Sequence, residues 1–143
     1  MKDVDLPCKY IGLDIVGDII EDNKRKYTND KRKFYQHNAI EEKLPEQSDV
    51  VICREVLFHL SFNDRKQLID QLMQSKARYF LATTSIEIEK NRDIRTGKFR
   101  NVNLLLPPYS FPPYLMKIRD SESVSPDRYL ALWKVQAIRE AIS

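Results

Sequence analysis

The sequence predicts an α/β domain built on a mostly parallel sheet, and two observations carry that reading. Lys9 to Val16 (KYIGLDIV) and Ser48 to Arg54 (SDVVICR) are apolar on both faces, as strands covered on both sides are. Strand-like and helix-like segments also alternate, in the order β-α-β-loop-β-α-β as far as Thr83. That is the pattern of parallel strands joined by helical crossovers.

Each element has a local reason. Gly17-Asp18 opens a helix to about Tyr27, supported by the i,i+4 pairs Glu21–Arg25 and Asp22–Lys26. Lys33 to Asn38 (KFYQHN) reads as a second strand after a basic turn. Pro45 and Ser48 mark the loop before the third strand. Ser61 with Asp64 forms a capping box for a helix to about Ser75, with Leu68, Ile69, Leu72 and Met73 as its core stripe. Ala77 to Thr83 (ARYFLAT) is a fourth strand, and Tyr114 to Arg119 can be a fifth. Between them runs a long polar loop ending in Pro107-Pro108 and Pro112-Pro113. Arg128 to Val135 alternates like a strand, yet Ser125-Pro126-Asp127 is a good helix start. Local rules leave that last segment open.

Composition narrows the classes. The chain has 143 residues, 42% of them apolar, which suits one domain, residues 1–143, with one core. No apolar run nears the ~20 residues that span a bilayer. No apolar segment follows a basic start, so a cytoplasmic location is expected. Cys8 and Cys53 form neither a metal motif nor a disulfide framework. The formal net charge is +3, from 24 basic and 21 acidic residues. Nucleic-acid binding through Lys24–Lys33 and Lys90–Arg100 would need a more one-sided patch. Glycine is scarce, with three residues at 12, 17 and 97.

Several polar residues stand where α/β folds bind ligands. Asp14 ends the first strand, where a carboxylate accepts from ribose hydroxyls, or else caps the next helix. Arg54 and Glu55 end the third strand. His59 follows one helical turn later, either as a packed residue or, if it faces a cleft, as a base. The tract Asn91 to Asn103 holds Arg95, Arg100 and Asn103. It reads as a substrate-recognition loop whose arginines bind a carboxylate or phosphate, or as a solvated loop with a Thr96-Gly97 turn.

In order, YIGLDIV, LPEQSDVVICREVLFHLS and YFLATT resemble class I S-adenosylmethionine-dependent methyltransferases over about residues 9 to 84. RYLALWKV extends the likeness as a late antiparallel strand, which turns the open segment toward strand. NRDIRTGKFRNVNLLLPPYSFPP resembles an uncharacterised bacterial subgroup of that family. The resemblance implies S-adenosylmethionine as cofactor and a small-molecule or unknown methyl acceptor. It implies that Asp14 holds the ribose, Ile15 stacks on the adenine, and Asn38 stands where an Asp usually meets the adenine amino group. It assigns Cys53, Arg54 and Glu55 to the segment lining the methionine side and substrate mouth. Glu55 and His59 are the candidate bases.

The family's first strand ends in a Gly-rich loop, and nothing here matches it. Met1-Lys2 resembles the connection that follows the loop, so the expected fold is an incomplete Rossmann-like one. With the central strand and loop missing, residues 9–15 are expected to pair directly with 49–53, or two chains to close the gap as a homodimer. The expected function is a methyltransferase-like protein, impaired or inactive as this chain. The alternative is a non-catalytic interaction domain or gene remnant of the same fold.

Overall fold

The computed structural model describes residues 7–45, 48–120 and 127–143. Met1-Lys2, Ser125 and Pro126 lie outside them. The chain divides into two compact units, Met1–Glu42 and Lys43–Ser143.

The first unit is one β-α-β element. Strand β1 (Tyr10–Asp14) pairs in parallel with β2 (Arg32–Gln36), with Gly12 opposite Phe34 and Asp14 opposite Gln36. Helix α1 (Gly17–Tyr27) makes the crossover and buries Ile20. Tyr10 and Tyr27 pack on the Phe34 ring at centroid distances of 6.0 and 6.5 Å. Phe34 lies so close to β1 that a Cβ on Gly12 would stand 2.5 Å from its ring, so this glycine is required by packing. On α1 Lys24–Glu21, Arg25–Asp22 and Lys26–Asp22 are ion pairs; Asp22–Lys26 is as expected, while Arg25 takes Asp22 in place of Glu21.

The second unit is a mixed four-stranded sheet of order β3-β4-β6-β5. Strand β3 (Val50–Cys53) lies parallel to β4 (Tyr79–Ser85). Between them come a short 3₁₀ turn (Leu57–His59) and helix α2 (Phe62–Gln74). The Ser61 hydroxyl caps α2 by accepting from the Asp64 N–H, as the sequence signalled. Strand β6 (Arg128–Lys134) runs antiparallel to β4, and β5 (Met116–Arg119) antiparallel to β6. The late antiparallel strand is therefore present. A helix follows it directly, α3 (Val135–Ile142), but the expected helix start is not its beginning, because Asp127 leads into β6 and not into a helix. The core centres on Phe58, Leu72, Phe80, Leu104, Trp133 and Ile138. Trp133 donates its indole N–H to the Pro112 carbonyl at 2.8 Å. That contact fastens the proline-rich stretch to the sheet.

The expected direct pairing of residues 9–15 with 49–53 does not occur. Among the described residues β1 pairs with β2 and β3 with β4, in two separate sheets. Each strand takes the partner that lies across the nearest helical crossover, the shorter loop to close. Val50 and Ile52, on one face of β3, are exposed.

Candidate functional site

In the first unit the parallel register brings the carboxyl ends of β1 and β2 to the same edge. The His37 N–H donates to the Asp14 carbonyl at 2.9 Å, so Asn38 follows immediately past that edge. Asp14 Oδ1 accepts from the Val16 N–H at 2.8 Å, a local turn that orients the carboxylate. No donor among the described residues reaches Oδ2. Ile15, next along, is 59% exposed. Asn38 Oδ1 accepts from the Ile40 N–H, and the Asn38 N–H donates to Glu42. The edge thus carries an oriented carboxylate, an open apolar side chain and a turn-held amide.

In the second unit the end of β3 carries a strained residue. Glu55 has φ 60°, the left-handed region that costs a non-glycine residue roughly 1 kcal/mol or more. Two contacts hold it there. Its N–H donates to Thr83 Oγ1 at 2.9 Å, and its Oε2 meets the Arg128 guanidinium at 3.0 Å. Its other oxygen, Oε1, is buried without a partner. Arg128 is itself buried, with its guanidinium over the rings of Phe58 at 5.0 Å and Phe99 at 4.9 Å and a bond to Asn101. Nothing in the sequence singled out Arg128 beyond its opening an apolar strand, which is itself an available signal. Burial of a guanidinium requires a partner, and only tertiary contact names it.

The other expected site residues fall into distinct settings. Cys53 is buried, and burial pushes its thiol up to about 12, against a smaller opposing bond from the Leu57 backbone. It is a packed thiol and not a nucleophile. Arg54 makes a two-pronged bond to the buried Asp120 at 2.9 and 3.2 Å, tying the end of β3 to the end of β5. His59 is exposed and its Nδ1 lies 3.0 Å from the Lys98 carbonyl. A carbonyl only accepts, so Nδ1 is the donor in this bond.

The tract after β4 is anchored and not loose. The Gly97 N–H donates to the His59 carbonyl, and the Arg100 N–H to the Phe58 carbonyl. Asp93 Oδ1 accepts from the Phe62 N–H, and the Thr96 hydroxyl donates to Asp64. The Thr96 bond holds the Asp64 carboxyl below the usual carboxylate range. Asn103, expected to touch substrate, is buried and brings its amide to the carbonyls of Ile86 and Ile88 and the Leu105 N–H. Its side chain braces the loop. Arg100 lines an open groove of about 600 Å³ with Ile88, Glu89, Lys90, Arg92, Phe99 and Asn101, and Arg95 does not. Among the described residues no cluster of His, Cys, Asp and Glu could hold a metal ion. Nor is any helix long and apolar enough to cross a membrane.

A methyltransferase-domain family model matches residues 2–75. The chain belongs to the methyltransferase-domain family. Its fold agrees. Human N-acetylserotonin methyltransferase, solved in complex with S-adenosylmethionine, superposes with a TM-score of 0.63 at 15% identity, over 89% of this chain and 40% of that one. The N-methyltransferase NodS of Bradyrhizobium japonicum gives 0.63 at 14% identity, over 88% of this chain and 72% of that one. Magnesium protoporphyrin IX methyltransferase of Synechocystis, with bound S-adenosylhomocysteine, gives 0.59 at 14%, over 85% and 62%. This methyltransferase-family chain thus spans less than half of the human enzyme's length. At such identities the likeness establishes an α/β, partly Rossmann-like fold with mixed sheets. No curated protein matches the sequence at a significant level.

Proposed function

We propose that the first unit recognises the adenosine part of S-adenosylmethionine, and that the chain serves a methyl transfer whose acceptor is a small molecule. The supporting observation is the shared edge of β1 and β2. There the Asp14 carboxylate keeps an oxygen without a donor, beside exposed Ile15 and the Asn38 amide. A carboxylate with one oxygen anchored to the backbone and one open suits a ribose hydroxyl. Ile15 would stack on the adenine and Asn38 meet its amino group.

When bound, the cofactor supplies an electrophilic methyl group. The chain's own part is to position and desolvate, and to take a proton where the acceptor must lose one. No Gly-x-Gly run occurs within these 143 residues, so in this chain the adenosine end carries the affinity. Binding is expected to be weaker than ~100 μM, about −5.5 kcal/mol.

The test is a nitrogen-15 NMR titration with S-adenosylhomocysteine. Saturable shifts at residues 14–16 and 38–40, lost in Asp14→Ala, are the expected result. Absence of shifts at millimolar ligand overturns the reading. Exposure of Val50 and Ile52 favours a second reading, an interaction domain that self-associates through β3. It requires a dimer by light scattering that Ile52→Lys abolishes.

A further inference from the structure

The sequence has two basic clusters, and the structure treats them differently. The cations at 24, 25 and 26 each meet an acid on their own helix. Those at 90, 92 and 100 form no ion pair with any described residue, yet they line one groove. Glu89 is the single acid in its wall, which leaves a local excess of two positive charges. Phe99, 49% exposed, adds an aromatic surface. A solvated face accounts for the first cluster but not for cations gathered around an open ring.

The groove is also held in shape. Arg128 lies over the Phe99 ring, and Phe58 meets that ring edge-on at 5.9 Å. Asn101, another wall residue, accepts from Arg128 Nε at 3.3 Å. Arg100 is fixed through its N–H to the Phe58 carbonyl. Next to Lys90 and Arg92, Asn91 is buried and donates to the carbonyls of Asn103 and Pro107 at 2.8 and 2.9 Å. A site whose backbone is already ordered loses less entropy on binding.

We infer that this groove binds a small planar molecule carrying a phosphate or carboxylate, with Lys90, Arg92 and Arg100 on the anion and Phe99 against the ring. Describing that molecule as the methyl acceptor rests on the methyltransferase reading; the binding itself does not. Arginine suits the anion because its planar fork matches both groups.

Phenyl phosphate is the probe, titrated into the full chain without cofactor and followed by nitrogen-15 NMR. Saturable shifts are expected at residues 88–92 and 99–101. Arg92→Gln and Arg100→Gln should each weaken binding about 5- to 10-fold. Lys66→Gln, on the far-charged α2 pair with Asp70, should leave it unchanged. Phenol should bind at least about tenfold more weakly, since it lacks the anion. Equal binding of phenol, an equal loss in Lys66→Gln, or shifts spread outside the groove overturns the inference. So does tighter binding of a single-stranded oligonucleotide, which would make the patch a nucleic-acid surface. Failure here leaves shifts at 14–16 and 38–40 with S-adenosylhomocysteine untouched, so the two readings fail separately.

Discussion

Replacing Arg128 by Ala tests the central claim about the second unit, that one buried guanidinium organises the end of β3. Four contacts are lost together, and the neutral bond to Asn101 accounts for about 0.5–1.5 kcal/mol of the loss. The charge-assisted bond to Glu55 at 3.0 Å is worth about 1.5–3 kcal/mol where it is shielded. Glu55 is about a third exposed, so the lower end applies. The contacts over Phe58 and Phe99 add about 0.5–2 kcal/mol. The unpaired Glu55, whose Oε1 already lacks a partner, then turns toward water and recovers part of the loss. The expected destabilisation is about 2–4 kcal/mol, read from urea unfolding with an unchanged slope. A double-mutant cycle with Glu55→Gln isolates the ion pair, and a coupling of about 1–2 kcal/mol is expected. A loss under about 0.5 kcal/mol for Arg128→Ala, or zero coupling, would refute the reasoning.

Three further outcomes follow from the same geometry. Glu55→Gly and Glu55→Ala both lose the ion pair, but only glycine relieves φ 60°. The glycine variant should therefore be more stable than the alanine variant by about 1 kcal/mol in the same unfolding assay. The Asp64 carboxyl is held low chiefly by the Thr96 hydroxyl. A depressed folded value contributes stability above the unfolded carboxylate range, about pH 4, and loses it as pH falls through the folded value. Thr96→Val should flatten that acid limb of the urea midpoint against pH, and an unchanged limb would contradict the assignment. Cys8 is exposed and Cys53 is buried with its thiol pushed up to about 12. Thiol labelling at pH 8 should modify Cys8 quickly and Cys53 only after unfolding; rapid labelling of both would show that β3 opens.

Much of the fold was legible because its signals are local. Periodicity and caps placed α1 and α2 within a residue of their observed ends, since both depend on neighbouring residues alone. The last segment stayed open because a helix-start pattern ending at Asp127 and a strand alternation beginning at Arg128 compete there, and pairing with β4 made the segment strand β6. Partner choice between β1 and β3 was not legible, since a strand's apolar faces do not say which edge it offers. Among site residues, Asp14 and Asn38 were placed by their position at strand ends. The bracing bonds of Asn103 were not legible, because a polar loop residue looks the same whether it meets a ligand or braces the backbone.

The sequence alone determined the α/β class, the family resemblance and the scarcity of glycine, because composition and spacing are properties of the chain before it folds. Tertiary structure decided which charges matter. It gathered the cations at 90, 92 and 100 around Phe99, while those of α1 pair locally with acids three or four residues away. It buried Arg128 between two rings and set Glu55 against it. Such choices depend on which side chains meet across distant segments, and a guanidinium's environment, far more than its place in the chain, fixes what it does.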